Sequence, residues 1–402
     1  MKKNIFELSR EQLYDIVQSF QEKFEKGLKE DNTEIQCIPT YITPNTSIEN
    51  GKALVLDLGG TNYRAAVVEF RNGKPEIHPH DGWQKKLDVM KTEGFSQEEL
   101  FQEQADLISE INPNQTLPIG YCFSYPAESL LNGDAKLLRW TKGVDIKEMI
   151  GRPIGEPLMN YLNEQKIAHF TSVKVINDTV ASLFAGLAHT GYDAYIGLIV
   201  GTGTNMATFV PDIHVKKLDH HYKSGGLIPI NLESGNFFPP HLTEVDGLID
   251  ELSDSNGRQR FEKAVSGMYL GEIFKAVFPS DSQDEGFNAR NLNEIVNNPS
   301  LYKKEYVDVA NWIFARSAQL VAASLAGLIL ELRKYNDSVK RVRLTAEGSL
   351  FWSKMNVGKH YHQMVLDEMY RLLAGFGYED ITVDVEEKKN INLIGTAIAA
   401  LS

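Results

Sequence analysis

The sequence predicts an α/β protein built from two related halves, because one local pattern recurs and because strands pass directly into helices. The recurring pattern is a strand, a glycine turn and a second strand: ALVLDL, GGTN and YRAAVVEF over 53–70, then YIGLIV, GTGTN and MATFV over 195–210. Between the two, VKVIND (173–178) runs at once into the helical pattern TVASLFAGLAH, the switch that layers helices on sheets.

Each element follows from its local pattern. Residues 4–29 set Ile5, Phe6, Leu13, Ile16, Val17, Phe20, Phe24 and Leu28 at helical spacing among Glu, Lys and Gln, which predicts an amphipathic helix packed on a larger body. After YRAAVVEF, the Asn-Gly of RNGK (71–74) accepts the positive φ of a tight hairpin, so a third strand completes a meander. LPIGYCFSYP (117–126) reads as a buried strand. Beyond Glu251 the chain is mostly helical, with a long segment over 306–335 in which Ala322, Ala323, Ala326 and Gly327 allow another element to approach closely. Its most apolar stretch, 320–332, contains Ser324 and Glu331 and falls short of the roughly 18 residues that cross a bilayer, so it reads as a buried helix. RVRLTAEGSLFW (341–352) predicts a strand, a Gly-Ser turn and a helix start, ITVDVEE a last strand, and NLIGTAIAALS a closing helix. No low-complexity linker separates the halves, so short hinges connect them.

Composition narrows the function. A chain of 402 residues with 42% hydrophobic and 24% charged residues suits two or three globular cores. Its 41 basic against 54 acidic residues leave a net charge of −13, which opposes nucleic-acid backbones and anionic membranes; neither is an expected partner. Cys37 and Cys122 are too sparse to staple such a chain, and the charges in MKKNIFELSREQL interrupt any secretory h-region; a cytoplasmic location is expected.

Phosphate binding requires backbone N–H groups to converge without obstructing Cβ atoms, and Gly59-Gly60-Thr61-Asn62 and Gly201-Thr202-Gly203 supply such turns. Neither is a Walker loop or a GxGxxG helix opener, and either alone is equally a tight hairpin; a third glycine turn at Gly348-Ser349 adds weight to a nucleotide. Asp57, just before the first turn, is placed either to hold Mg²⁺ through water or to cap the turn. Asn177-Asp178 stands where an N-cap belongs, and also where a base could accept a hydroxyl proton.

With these residues in view, the chain resembles the hexokinases of the actin-like sugar-kinase superfamily over nearly its whole length. The resemblance rests on LDLGGTNYR (56–64), FSYP (123–126), WTKG (140–143), VINDTVAS (175–182), IVGTGTN (199–205), NLESGNF (231–237), FEKAVSGMYLGE (261–272) and AEGSLFW (346–352), in the family's order. It implies two ribonuclease-H-like domains with mixed sheets flanking a cleft, the smaller formed by 52–178 plus 391–402 and the larger by 1–51 plus 179–390. It further implies an ATP-dependent, Mg²⁺-requiring hexokinase that phosphorylates the C6 hydroxyl of glucose and other hexoses such as mannose and fructose at the first step of glycolysis. Ser124, Thr141, Lys142, Asn177, Asp178, Asn205, Glu233 and Glu262 fall at the family's sugar-binding positions, with Asp178 as general base and Lys142 beside the migrating phosphoryl group. Gly59, Gly60, Thr61, Asn62, Gly201, Thr202 and Gly203 are implied to cradle phosphates, Gly348 and Ser349 to approach the adenosine, and Asp57 to face the metal.

Two positions depart from the family: Ser234 replaces a common aromatic residue, which is expected to loosen epimer discrimination, and Glu347 replaces a usual Asp. The polar stretch 280–298 carries no family residue. The length suits one catalytic unit, as monomer or homodimer, not a duplicated chain. His220-His221 lack ligand-spaced partners and predict no zinc site, Trp140 and Trp352 read as packing residues, and EEKKN from Glu386 as a solvated connection. Two rival functions stay open: a kinase of another sugar, such as an amino sugar, and a sensor that binds hexose and nucleotide without turnover.

Overall fold

Helix α1 (Arg10–Gly27) begins later than the apolar spacing from residue 4 suggests, because Ser9 and Gln12 form a capping box that sets its first turn. The computed structural model describes residues 4–60, 62–111, 115–219, 221–222, 225–279, 286–355 and 358–402. In chain order there follow β1 (Ile38–Pro39), β2 (Gly51–Leu58), β3 (Asn62–Arg71), β4 (Lys74–Lys86), α2 (Gln97–Ile111), β5 (Thr116–Phe123), β6 (Ala127–Ser129), β7 (Ala135–Leu137), α3 (Gly155–Glu164), β8 (His169–Ile176) and α4 (Asp178–Ala185). The remainder comprises β9 (Ala194–Val200), β10 (Thr204–Pro211), β11 (Leu227–Asn231), α5 (Glu244–Leu252), α6 (Arg260–Val265), α7 (Gly267–Val277), α8 (Ala289–Asn297), α9 (Lys304–Tyr335), β12 (Arg341–Glu347), α10 (Tyr361–Gly375), β13 (Thr382–Val385) and α11 (Ile391–Ala400).

Two sheets carry the same strand order, which is the expected repeat made explicit. The first runs β4-β3-β2-β5-β8, an antiparallel meander of β2, β3 and β4 followed by parallel β5 and β8. In the second, β11-β10-β9 is again an antiparallel meander followed by parallel β12 and β13, with β1 added along the outer edge of β11. The Asn72-Gly73 turn between β3 and β4 takes φ of 50° and 73°, as the hairpin motif requires.

The central strands are buried on both faces, which explains why ALVLDL is apolar on both faces apart from Asp57 instead of alternating apolar with polar. Leu54, Leu56 and Leu58 point into a core shared with α2 and α3, while Ala53 and Val55 point into a second core shared with α4 and α11. By the same alternation Asp57 falls on the α4/α11 face. A third core wraps α1, α9 and α10 on the second sheet, and residues 320–332 of α9 are all buried. Gly327 admits α1: a Cβ there would lie 2.9 Å from the Val17 carbonyl. Among the described residues α9 is the one helix long and apolar enough to cross a membrane, and this burial makes it a core helix.

A second sequence expectation is corrected. No helix starts at Ser349; residues 349–352 form a turn, because Gly348 adopts φ 111° and Phe351 donates its N–H to Val200 at 2.9 Å, and the next helix begins only at Tyr361. Of the polar stretch 280–298, residues 280–285 lie outside the described residues and 289–297 form α8, capped by Asn288.

The halves meet through α4 and α11, and three glycines set the spacing. A Cβ on Gly120 of β5 would stand 2.5 Å from the Thr396 carbonyl of α11, one on Gly395 of α11 would stand 1.8 Å from the Ala181 carbonyl of α4, and one on Gly197 of β9 would stand 2.5 Å from the Thr179 carbonyl of α4. The order sheet, α11, α4, sheet is therefore packed at backbone distance. Helix propensity alone favours Gly395→Ala by about 1 kcal/mol. The clash should reverse the sign, giving a net loss of about 1–3 kcal/mol read as a lower urea midpoint at constant m; an unchanged or raised midpoint would contradict this packing.

Candidate functional site

A cleft of about 1360 Å³ opens where the two glycine-turn sheets face each other, and segments far apart in sequence line it. Ser124 follows β5, Thr141 and Lys142 follow the β6–β7 hairpin, and Asn177 and Asp178 join β8 to α4; all five line one side. Asn205, Glu233 and Glu262 line the other. Asn177 is the N-cap, its Oδ1 accepting the Thr179 N–H at 2.9 Å, and Asp178 Oδ1 accepts the same N–H at 2.8 Å. Capping thus leaves the second carboxylate oxygen of Asp178 available to the cleft.

Lys142 holds a left-handed φ of 59° and donates from Nζ to the Ser124 carbonyl at 2.6 Å, with its ammonium 5.0 Å from the Tyr125 ring centre. Gly60 lies directly against its stem, since a Cβ there would meet Lys142 Cδ at 2.8 Å. The first glycine turn and the lysine are therefore neighbours.

On the opposite wall an amide relay fixes the carboxylates. Asn205 Nδ2 donates to Asn231 Oδ1 at 2.8 Å, and Asn231 Nδ2 donates to Glu233 Oε1 at 2.8 Å. Glu262 accepts the Thr204 N–H on Oε2 at 2.9 Å and the Gln259 amide on Oε1 at 3.0 Å. Gly203 is required here, since a Cβ would fall 2.5 Å from Glu262 Oε2. Burial and, against the Asn231 hydrogen bond, the charge of Asp178 hold Glu233 above the ordinary carboxylate range. Burial also raises Glu262, where the Thr204 N–H opposes and the Glu233 charge reinforces it. Such a wall of oriented carboxylates and amides matches a ligand rich in hydroxyls, each of which can donate and accept.

Gly201, Thr202, Gly203, Gly348 and Ser349 line the cleft as well. Gly201 and Gly348 pack backbone to backbone: a Cβ on Gly348 would sit 2.1 Å from the Val200 carbonyl. The start of α7 donates the Gly267 N–H to the Gly201 carbonyl at 2.7 Å, so this turn is held from behind. Asp57, Gly59, Gly60 and Asn62 stand beside the cleft and are not part of its lining, and Thr61 lies outside the described residues.

Asp57 is 7% exposed, and its Oδ2 accepts from Arg64 Nε at 3.1 Å and Nη2 at 2.6 Å. Arg64 also donates to Asn390 Oδ1 at 3.1 Å, just before α11. Glu347, at the end of β12, is pushed up to about 7 by burial and by the charges of Asp57 and Asp178, with Arg64 and the Asn392 N–H opposing. Three carboxylates thus share one neighbourhood. Among the described residues no three His, Cys, Asp or Glu side chains are grouped to hold a metal ion by themselves.

Several contributors were not singled out by sequence reasoning. Arg64, Asn231 and Gln259 have structural jobs at the site, and two of them stood inside quoted motifs, LDLGGTNYR and NLESGNF. Ser234 is fully buried behind Asn205, to whose Oδ1 its N–H donates at 3.1 Å, and does not line the cleft. Trp140 and Trp352 donate their indole N–H groups to the Ile146 and Ala346 carbonyls at 2.8 and 3.0 Å, as packing residues do. His220 lies outside the described residues.

Family models described as hexokinase match residues 2–188 and, in two overlapping segments, 195–307 and 287–402. The chain is similar to hexokinase-1 of Saccharomyces cerevisiae, 35% identical over 293 residues that cover 68% of this chain and 59% of that protein. It is similar to the hexokinase of Kluyveromyces lactis, 35% identical over 308 residues, 70% of this chain and 60% of that protein. The chain therefore spans about 60% of the length of these curated relatives. The structure of the Schistosoma mansoni hexokinase complexed with glucose superposes with a TM-score of 0.78 and 25% identity, covering 99% of this chain and 97% of that one. The two-domain α/β fold of the sugar kinases is thereby established for this chain.

The raised carboxyl of Glu347 has a measurable consequence. Unfolded, it ionises near its ordinary 4.5; folded, it keeps its proton to about 7, so the native state binds more protons between these values and stability falls as pH rises through that window. Glu347→Gln should gain on the native chain from pH 4.5 to 8, by at most about 3 kcal/mol, in metal-free buffer without substrate. A stability difference independent of pH would refute the assigned shift.

Proposed function

The chain belongs to the hexokinase family, and on that footing we propose that it transfers the γ-phosphoryl group of ATP to the C6 hydroxyl of glucose, with mannose and fructose as further acceptors. The reading is carried by one observation: all eight residues picked from scattered motifs between positions 124 and 262 face one cleft.

The hexose lies against Ser124, Thr141, Asn177, Asn205, Glu233 and Glu262, whose fixed donors and acceptors would go unpaired with a wrong epimer. Asp178 accepts the C6 hydroxyl proton through the oxygen that the Thr179 N–H does not engage. Lys142 places its charge beside the transferring group, and Gly60, Thr202 and Gly203 present backbone N–H groups to the phosphates, while the Gly59 and Gly201 N–H groups close their turns onto the Asn62 and Gly203 carbonyls. Gly348 and Ser349 adjoin the adenosine. Asp57, in a neighbourhood of excess negative charge and paired with Arg64 through one oxygen only, would hold Mg²⁺ through water, and the ion would supply neutralisation of phosphate charge.

Residues 52–178 with 391–402, and 1–51 with 179–390, act as two lobes that close on sugar, which limits transfer to water. The protein works as a cytoplasmic monomer or homodimer at the entry to glycolysis. Because Ser234 lies behind Asn205, any broadening of epimer acceptance acts through that amide and not by direct contact.

Asp178→Ala should retain glucose affinity in calorimetry within a few-fold while kcat falls by roughly 10²–10⁴; an unchanged kcat would remove the base assignment. Chelation of divalent cations should abolish turnover and leave hexose binding in place. Loss of hexose binding on chelation would place the metal in the sugar site instead.

A further inference from the structure

The loop entering α6 has the sequence SDSNGRQ over 253–259, with no apolar side chain to anchor it. It nevertheless forms part of the cleft, contributing Ser255, Gly257, Arg258 and Gln259. Polar bonds must therefore fix its position, and they converge on one buried carboxylate. Asp250, on α5 and outside the cleft lining, accepts from Lys263 Nζ at 2.7 Å and Arg260 Nη2 at 2.8 Å, with side-chain exposures of 1% for Asp250 and 2% for Lys263. The same carboxylate takes the Gly257 N–H at 3.0 and 3.2 Å, and Lys263 donates a second bond to the Ser255 carbonyl at 2.8 Å.

A buried ion pair is a poor device for stability, since desolvation offsets most of its attraction, but it fixes geometry. Here the fixed element is the backbone that turns into α6. Gln259 sits there with a left-handed φ of 53° and donates to Glu262 Oε1 at 3.0 Å, while Thr204 holds the other oxygen.

We propose that Asp250 is a positioning residue for hexose binding: through Lys263 and Gly257 it sets loop 253–259, and through Gln259 it sets the orientation of the Glu262 carboxylate. The inference rests on the hexokinase function proposed above. Its chain of contacts reaches Glu262 through Oε1, not through the Oε2 that borders Gly203 and takes the Thr204 N–H, and it does not reach Asp178, so it should act on sugar affinity far more than on nucleotide affinity or the chemical step.

The test is steady-state kinetics of the full chain with glucose and Mg²⁺-ATP for Asp250→Asn, for the charge-balanced double variant Asp250→Asn with Lys263→Met, and for Gln259→Ala. Each should raise the glucose KM by roughly tenfold or more, the equivalent of one misaligned charge-assisted hydrogen bond, with kcat and the ATP KM within about threefold. Should Asp250→Asn strand its two cations and fail to fold, the charge-balanced double variant decides the matter. A native glucose KM in folded variants overturns the inference, as does a parallel loss of kcat, glucose affinity and ATP affinity. Wild-type chain that shows no hexose-dependent turnover would instead overturn the proposed function itself.

Discussion

The backbone contact between α4 and α11 is the constraint on which the rest of the molecule depends. Each helix belongs against a different sheet, and they can touch each other and their sheets at this distance only because Gly120, Gly395 and Gly197 present no side chain. The contact brings the start of α4, the end of β12 and the start of α11 together. Asn177 and Asp178, Glu347, and Asn390 with Asn392 come from those three places. The candidate site is therefore built at a junction of the two repeats, not within either one.

The same junction explains the electrostatics. β2 alternates strictly, so the face that buries Ala53 and Val55 must also carry Asp57, which then meets the carboxylates of Asp178 and Glu347. Arg64 offsets part of this charge from the neighbouring strand, pairing with Asp57 and reaching Asn390 across to α11. An arrangement that concentrates carboxylates under partial burial is unfavourable for folding, and that is the kind of strain that clusters at functional sites. On the opposite wall of the cleft the same principle holds with amides: Asn205, Asn231 and Gln259 orient Glu233 and Glu262, which line the cleft.

Much of this was legible in the sequence because it depends on local rules. Strand periodicity, the Asn72-Gly73 turn, the buried stretch 320–332 and the repeated glycine turns all follow from neighbours in the chain. The eight cleft residues were legible through motif order. What escaped was set by long-range packing. Nothing local marks Gly395 as the point where α11 meets α4, or Asp250 as the tether of a loop it precedes. The helix expected at Ser349 failed for a similar reason, because Phe351 bonds to Val200 on a strand about 150 residues earlier and holds the chain as a turn.

The central claim is that this cleft couples a hexose to ATP. The most direct measurement is ADP release from Mg²⁺-ATP by the full chain with glucose, mannose, fructose, galactose, glucosamine and N-acetylglucosamine, against a control without sugar. ADP that depends on hexose, with glucose at or near the front, is the expected result. Folded protein that binds glucose and nucleotide yet releases no sugar-stimulated ADP would contradict it and identify a sensor in place of an enzyme.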